Sequence, residues 1–176
     1  MSRAQNKRIL IAGIGNIFLG DDAFGVEVVR ALATRTLPPE VEVMDLGIRS
    51  YDLAYALTDH YDVVILVDAA AQGRPPGTVY LLEPDLSALH QQAPASPDGH
   101  TLDISSVLQM AQSLGEVTGQ LYLVGCEPAV LETEDGTLGL SPEARTAVPQ
   151  AVMLLEVLIG NSVNHETKTS AGLVPG

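Results

Sequence analysis

Short apolar runs alternate along the chain with longer segments in which apolar residues recur at helical spacing. Five runs predict β-strands, at residues 9–14, 41–44, 63–67, 79–82 and 121–124. Four segments predict helices, at residues 23–36, 50–59, 102–114 and 142–159. Alternating strands and helices favour an α/β fold, here a three-layer α/β/α sandwich around a mostly parallel, five-stranded twisted sheet.

Three stretches depart from this alternation. Residues 69–77, AAAQGRPPG, are too short for a helical crossover, so the flanking strands are expected to run antiparallel or to shift at the sheet edge. Residues 84–99 form a long polar loop, of a length that is typical of functional or mobile loops. We expect residues 1–160 to form a single domain and residues 161–176, which have little apolar periodicity, to form a disordered tail.

Candidate chemistry begins where the first strand ends, in the glycine-rich turn GIGNIFLGDDAFG with its adjacent acids Asp21 and Asp22. The carboxyl ends of parallel strands share one edge of a sheet, and open α/β folds bind ligands there. Asp68, at the end of the third strand, and His100, at the close of the long loop, are expected to reach the same edge. Two carboxylates and an imidazole suit a divalent first-row metal ion and leave coordination positions open.

Composition limits the classes of partner. The net charge is −13 with only nine Lys and Arg in 176 residues, which argues against nucleic acid because phosphate binding needs clustered cations. Cys126 is the single cysteine, so the chain alone forms neither a disulfide nor a cysteine-rich metal site. No apolar run reaches the roughly 18 residues of a membrane span, and no signal peptide is evident. We therefore expect a cytoplasmic protein without a membrane partner and, because no long unpaired apolar surface is apparent, a monomer.

Simpler interpretations of the polar residues stay open. Asp21 and Asp22 open a helix and could cap its free N–H groups, which is the preferred interpretation of Asp21. Asp68 could form an Asx turn at its strand end, and His100 could simply start the helix that follows it. Sequence spacing alone does not choose between these roles and a metal site.

Other residues suggest further alternatives. The first turn is similar to a damaged dinucleotide fingerprint, in which Phe18 replaces the third glycine and Asp45 imitates the ribose-binding acid. Cys126 could be a nucleophile paired with His100, but a lone thiol in an apolar strand is more often a small buried hydrophobe. As metal ligands, the other three histidines are less favoured than His100; they are His60, His90 and His165. Of these, His90 in the long loop is the second choice.

Four segments carry a family resemblance: GIGNIFLGDDAFG, VDAA, DGHTLD and VGCEP. In this order and at these separations they resemble the nickel-iron hydrogenase maturation endopeptidases, over residues 8–160. The resemblance implies an enzyme that cleaves a C-terminal extension from the hydrogenase large-subunit precursor after nickel insertion. It assigns the catalytic and metal-contacting positions to Asp22, Asp68 and His100, with the nickel carried by the precursor. The family often has Glu at the first position, where this chain has the shorter Asp22.

The resemblance leaves the mechanism open. The metal could polarise the scissile carbonyl or activate a bound water, or one carboxylate could act as general base. Two rival functions are a Rossmann-like nucleotide-binding module and a non-catalytic nickel-binding chaperone or scaffold. Arg49, in the loop DLGIRS, is expected to be the only cation near the site and to contact a carboxylate or carbonyl of the precursor.

Overall fold

The computed structural model describes residues 6–84, 104–131 and 138–169. In chain order the elements are β1 (Ile9–Ile14), a 3-10 turn (Gly20–Ala23), α1 (Phe24–Leu32), β2 (Val41–Gly47), α2 (Ser50–Leu57), β3 (Val63–Ala69), β4 (Val79–Leu82), α3 (Ile104–Leu114), β5 (Gln120–Cys126) and α4 (Pro142–Thr169). The five predicted strands and four predicted helices are all found. Apart from the last helix, their ends differ from the prediction by only a few residues.

The strands form one sheet in the order β2-β1-β3-β5-β4. All neighbouring strands are parallel except β4, which runs antiparallel along β5 at the edge. Helices α1 and α4 cover one face and α2 and α3 the other, which confirms the three-layer α/β/α prediction. The central strands β1 and β3 are buried at every position, as expected of strands covered on both faces.

The connection from β3 to β4 differs from the simple pairing that its length suggested. β3 and β4 do run in opposite directions, but β5 lies between them and bonds to both. The long connection after β4 contains α3 and brings the chain back to the start of a parallel strand beside β3. The short 69–77 segment therefore passes over the end of β5, at the carboxyl edge of the sheet.

Helix α1 begins in direct backbone contact with the sheet. A Cβ atom on Gly25 would lie 2.0 Å from the carbonyl oxygen of Val67 and 2.3 Å from that of Ile14. A Cβ atom on Gly13 would lie 2.4 Å from the carbonyl oxygen of Gly25. Only glycine permits so close an approach. These two glycines therefore fix the preceding 3-10 turn beside the carboxyl ends of β1 and β3.

The last helix begins as predicted and ends later. Ser141 caps it, because its Oγ accepts a hydrogen bond from the N–H of Ala144 at 3.2 Å. The helix then continues to Thr169, so residues 161–169 are helical where a disordered tail was expected. An established helix extends at the gain of one hydrogen bond per residue, even where apolar periodicity is weak. Residues 170–176 lie outside the described residues.

Helix α4 is long and apolar enough over Pro142–Val163 to cross a membrane, judged by length and composition alone. Such a helix is no sign of a membrane protein by itself, since helices packed in protein cores share these properties. Here one stripe of the helix packs in the core beside α1 and the sheet; it comprises Ala144, Ala147, Ala151, Val152, Leu155 and Ile159.

Candidate active site

Asp22 and Asp68 lie at the carboxyl ends of the adjacent strands β1 and β3. Asp22 belongs to the 3-10 turn, and its Oδ2 accepts a hydrogen bond from the backbone N–H of Asn16 at 2.7 Å. Asp68 is the penultimate residue of β3, and only 6% of its surface is exposed. Burial first, and then the negative charge of Asp22, raise the pKa of Asp68 well above its usual range. The fold therefore brings these two carboxylates into one electrostatically coupled site.

This pair suits a cation. Two neighbouring carboxylates, one of them buried, repel each other when both are charged, and a positive ion between them removes that repulsion. Among the residues that the structure describes, no three His, Cys, Asp or Glu side chains are grouped closely enough to hold a metal ion. His100, the third expected ligand, and His90 lie outside the described residues. The three-residue site stays a prediction.

Asp21 has a different role from the helix cap that was expected. Its side chain is fully buried, and the helix after it has no side-chain cap. The carboxylate accepts hydrogen bonds from the N–H groups of Ala129 at 2.8 Å, Val130 at 3.1 Å and Ser141 at 2.7 Å. The Ser141 hydroxyl donates a fourth bond at 2.9 Å. We call this arrangement the Asp21 clamp; it joins the turn before α1, the loop after β5 and the start of α4.

The two adjacent acids thus have opposite electrostatic environments. Burial acts to raise the pKa of Asp21, but the hydrogen bonds from Ser141, Val130 and Ala129 outweigh it, and the pKa is lowered. Asp21 is a charged group whose lone pairs are satisfied within the protein. The Asp21 N–H also donates to the carbonyl oxygen of Val130 at 2.9 Å. The clamp therefore holds the position of the next residue, Asp22.

A third buried acid, Glu127, was missed by sequence reasoning. It follows β5 directly, and its Oε2 accepts a hydrogen bond from the N–H of Gln72 at 2.7 Å. Its carbonyl oxygen accepts from the N–H of Gly77 at 2.8 Å, and its own N–H donates to the carbonyl oxygen of Thr78 at 2.9 Å. Glu127 thereby fixes the segment between β3 and β4 next to Asp68. Its position just after a buried strand was the signal that could have identified it.

Cys126 is a buried residue of the core, as the sequence favoured. Burial, followed by the charges of Asp21 and Glu127, raises the pKa of its thiol to about 11. A nucleophilic cysteine needs an exposed thiol that ionises near neutral pH. Cys126 has neither property, so the pairing with His100 as a nucleophile is not supported.

A groove of about 300 Å³ adjoins the site on the β2 side, lined by residues 15–18 and 45–49 together with Arg30. We call it the two-arginine groove. Arg30 forms an ion pair with Asp45 at 3.1 Å. Arg49 donates to the carbonyl oxygens of Leu46, at 3.2 Å, and Asp45, and it pairs with Asp52 at 3.3 Å. The expectation that Arg49 would be the only cation here is therefore wrong, because α1 brings Arg30 to the same groove.

The family model of hydrogenase maturation proteases (HycI) matches residues 26–157. The chain belongs to the hydrogenase maturation protease family. This protease is 33% identical over 147 residues to the hydrogenase 2 maturation protease of Escherichia coli, with coverage of 82% of this chain and 86% of that relative. These similarities confirm the family that the sequence motifs indicated, and with it a peptidase activity.

Solved structures agree with the sequence relatives. The hydrogenase-maturating endopeptidase HybD from Escherichia coli matches the protease with a TM-score of 0.73 and 34% identity, over 88% of this chain and 93% of that one. A hydrogenase 2 maturation peptidase from a Thaumarchaeota archaeon matches with a TM-score of 0.66 and 33% identity, over 88% and 99% of the two chains. The α/β fold is thus that of maturation endopeptidases. In the nucleotide-binding alternative, Asp45 would be the acid that binds a ribose. In this structure its carboxylate instead forms an ion pair with Arg30.

The buried thiol leads to a first prediction about the protease. Because Cys126 is inaccessible and stays protonated at neutral pH, iodoacetamide should alkylate it only after unfolding. Intact mass should show no added carbamidomethyl group on the native protein at pH 7.5 and one in 6 M guanidinium. Treated protease should process precursor at the untreated rate. Loss of activity in step with alkylation would restore Cys126 as a candidate nucleophile.

Proposed function

We propose that this protease removes the C-terminal extension from a nickel-loaded [NiFe]-hydrogenase large-subunit precursor, and that Asp22, Asp68 and His100 contact the nickel. The observation that carries the proposal is the position of Asp22 and Asp68 at the carboxyl ends of the adjacent parallel strands β1 and β3. The carboxyl edge of the sheet is where open α/β folds bind their ligands. The relatives are themselves described as hydrogenase maturation proteases and endopeptidases.

The metal arrives with the substrate in this proposal. Nickel held by the precursor would bring positive charge to the two carboxylates, and their oxygens, with one imidazole, are suitable ligands for it. In the protein alone, the raised pKa of Asp68 favours its protonated form. Arrival of the cation would favour the ionised form, so Asp68 would release that proton. A precursor without nickel offers no such charge. Binding at this site would therefore distinguish loaded precursor from unloaded precursor.

Cleavage requires a polarised carbonyl and an activated water. A nickel ion next to the scissile bond could supply both, or the carboxylate of Asp68 or Asp22 could take a proton from the attacking water. In either case the protease would contribute two carboxylates positioned by the fold: Asp22 next to the clamp at Asp21, and Asp68 in β3. We further propose that the protein acts as a cytoplasmic monomer without a membrane partner.

The deciding experiment compares nickel-loaded and nickel-free precursor with the purified protease. We expect loss of the C-terminal extension, followed by intact mass, only from the loaded form. Cleavage of both forms at equal rates would contradict nickel recognition. Binding without cleavage of either form would favour the non-catalytic scaffold instead. Stabilisation by NAD but not by nickel or precursor in a thermal shift would favour the nucleotide-binding alternative.

A further inference from the structure

We infer that the two-arginine groove binds an extended segment of the precursor next to the scissile bond, and that it selects a large apolar side chain there. The inference rests on the proposed function, since it names the part of the substrate that the same site positions. The groove is formed by the loop after β1 and the loop after β2. It therefore opens at the carboxyl edge of the sheet, next to Asp22.

The apolar character of the groove comes from side chains that the fold leaves exposed. Phe18, in the loop after β1, is 63% exposed, and Ile48, in the loop after β2, is 62% exposed. Ile17 is exposed beside Phe18. Large apolar side chains grouped at a concave surface are typical of a binding site, whereas isolated ones are common anywhere. A side chain such as Leu or Met between Phe18 and Ile48 would remove both from water.

The polar lining of the groove includes Asn16, the ion pair of Arg30 with Asp45, and the guanidinium group of Arg49. Contacts with Leu46, Asp45 and Asp52 hold Arg49 in place, yet 59% of its side chain is still exposed. These three contacts use only part of its five N–H donors. The remaining donors suit a main-chain carbonyl or a carboxylate of a bound peptide. An extended peptide presents such oxygens beside each side chain, which is why we favour it over a compact apolar ligand.

The groove and the catalytic site share one loop. The N–H of Asn16 donates to Asp22, and the Asn16 Oδ1 accepts from the N–H of Phe18 at 2.9 Å. The N–H of Gly15 donates to the carbonyl oxygen of Gly47 at 3.0 Å, which joins the two walls of the groove. A peptide that contacts Phe18 therefore lies one short loop from Asp22. This continuity is the reason for choosing the precursor as the occupant.

The test is a double variant, Phe18→Ser with Ile48→Ser, assayed on nickel-loaded precursor by intact mass. We expect KM to rise by about tenfold or more while kcat stays within about twofold, because the groove holds substrate without touching the reacting atoms. Both side chains are exposed, so the thermal unfolding midpoint should not change. The matched control is Met153→Ser on α4, which is 65% exposed and does not line the groove. Its KM should equal that of the wild type.

The outcomes separate this inference from the proposed function. If the wild type cleaves precursor and the double variant shows the same KM, or if Met153→Ser raises KM equally, the groove does not bind the peptide. If the wild type cleaves nothing, the proposed function fails, and the groove is then tested by precursor binding alone. A dimer of the wild type that dissociates in the double variant would make a second copy the occupant, which also overturns the inference.

A single variant tests the polar contact separately. Arg49→Ala should raise KM several-fold with kcat unchanged, and Arg49→Lys should restore only part of the affinity, since lysine lacks the planar fork of donors. Processing by Arg49→Ala with an unaltered KM would show that the peptide does not use this guanidinium.

Discussion

Replacing the fully buried Asp21 by alanine is expected to lower the free energy of unfolding by about 3–5 kcal/mol. The change removes the acceptor of four hydrogen bonds and leaves the N–H groups of Ala129, Val130 and Ser141 without it. The Asp21 carboxylate is fully buried, and hydrogen bonds to a charged group contribute more to stability than those between neutral groups. Urea unfolding followed by circular dichroism at pH 7 measures the effect.

The control for this prediction is Asp52→Ala. Asp52 pairs with Arg49 on the surface, and half of its side chain is exposed. Exposed ion pairs contribute less than about 1 kcal/mol, so this variant should unfold almost like the wild type. Equal losses in the two variants, or a loss below about 1 kcal/mol for Asp21→Ala, would mean that the clamp does not stabilise the fold.

Asp68→Asn is expected to reduce processing of nickel-loaded precursor by about 10³-fold or more while the folded protein is no less stable. The amide keeps the shape of the side chain but replaces an acid whose ionised form is disfavoured by burial, because only 6% of Asp68 is exposed. Function and stability are therefore predicted to change in different directions, as is common where an active site retains an unfavourable group. Single-turnover assays and urea unfolding measure the two quantities.

A matched comparison strengthens this prediction. Glu127→Gln changes another buried acid near the same edge, but its Oε2 already binds the N–H of Gln72. The Glu127→Gln variant should retain most of the activity, since the role of Glu127 is to hold residues 69–77 in place. His100→Ala should lose activity as Asp68→Asn does. Wild-type rates for both Asp68→Asn and His100→Ala would remove the site assignment.

The sequence was most reliable where local pattern and topology act together. The buried runs of β1 and β3 can only be central strands, and residues that end such strands must lie at the carboxyl edge. Asp22 and Asp68 could therefore be placed together from sequence. The end of the last helix was predicted less well. Residues 161–169 contain no residue that terminates a helix, and the predicted end rested only on their lack of apolar periodicity.

The parts that could not be predicted depend on contacts between distant positions. An acid that opens a helix looks locally like a cap, and Asp21 has that local pattern. Its actual partners lie 108 to 120 residues further along the chain. Arg30 was overlooked for the same reason, since only the packing of α1 beside β2 brings it to Asp45. The insertion of β5 between β3 and β4 likewise follows from the whole sheet.

The Asp21 clamp also has a consequence for how the protein is made. Ribosomes synthesise the chain from its N-terminus, and domains usually fold as their residues emerge. The turn that carries Asp22 is made early, but its anchors at Ala129, Val130 and Ser141 are made more than one hundred residues later. The clamp therefore cannot form until Ser141 has left the ribosome, so the turn that carries Asp22 lacks this support in any shorter nascent chain.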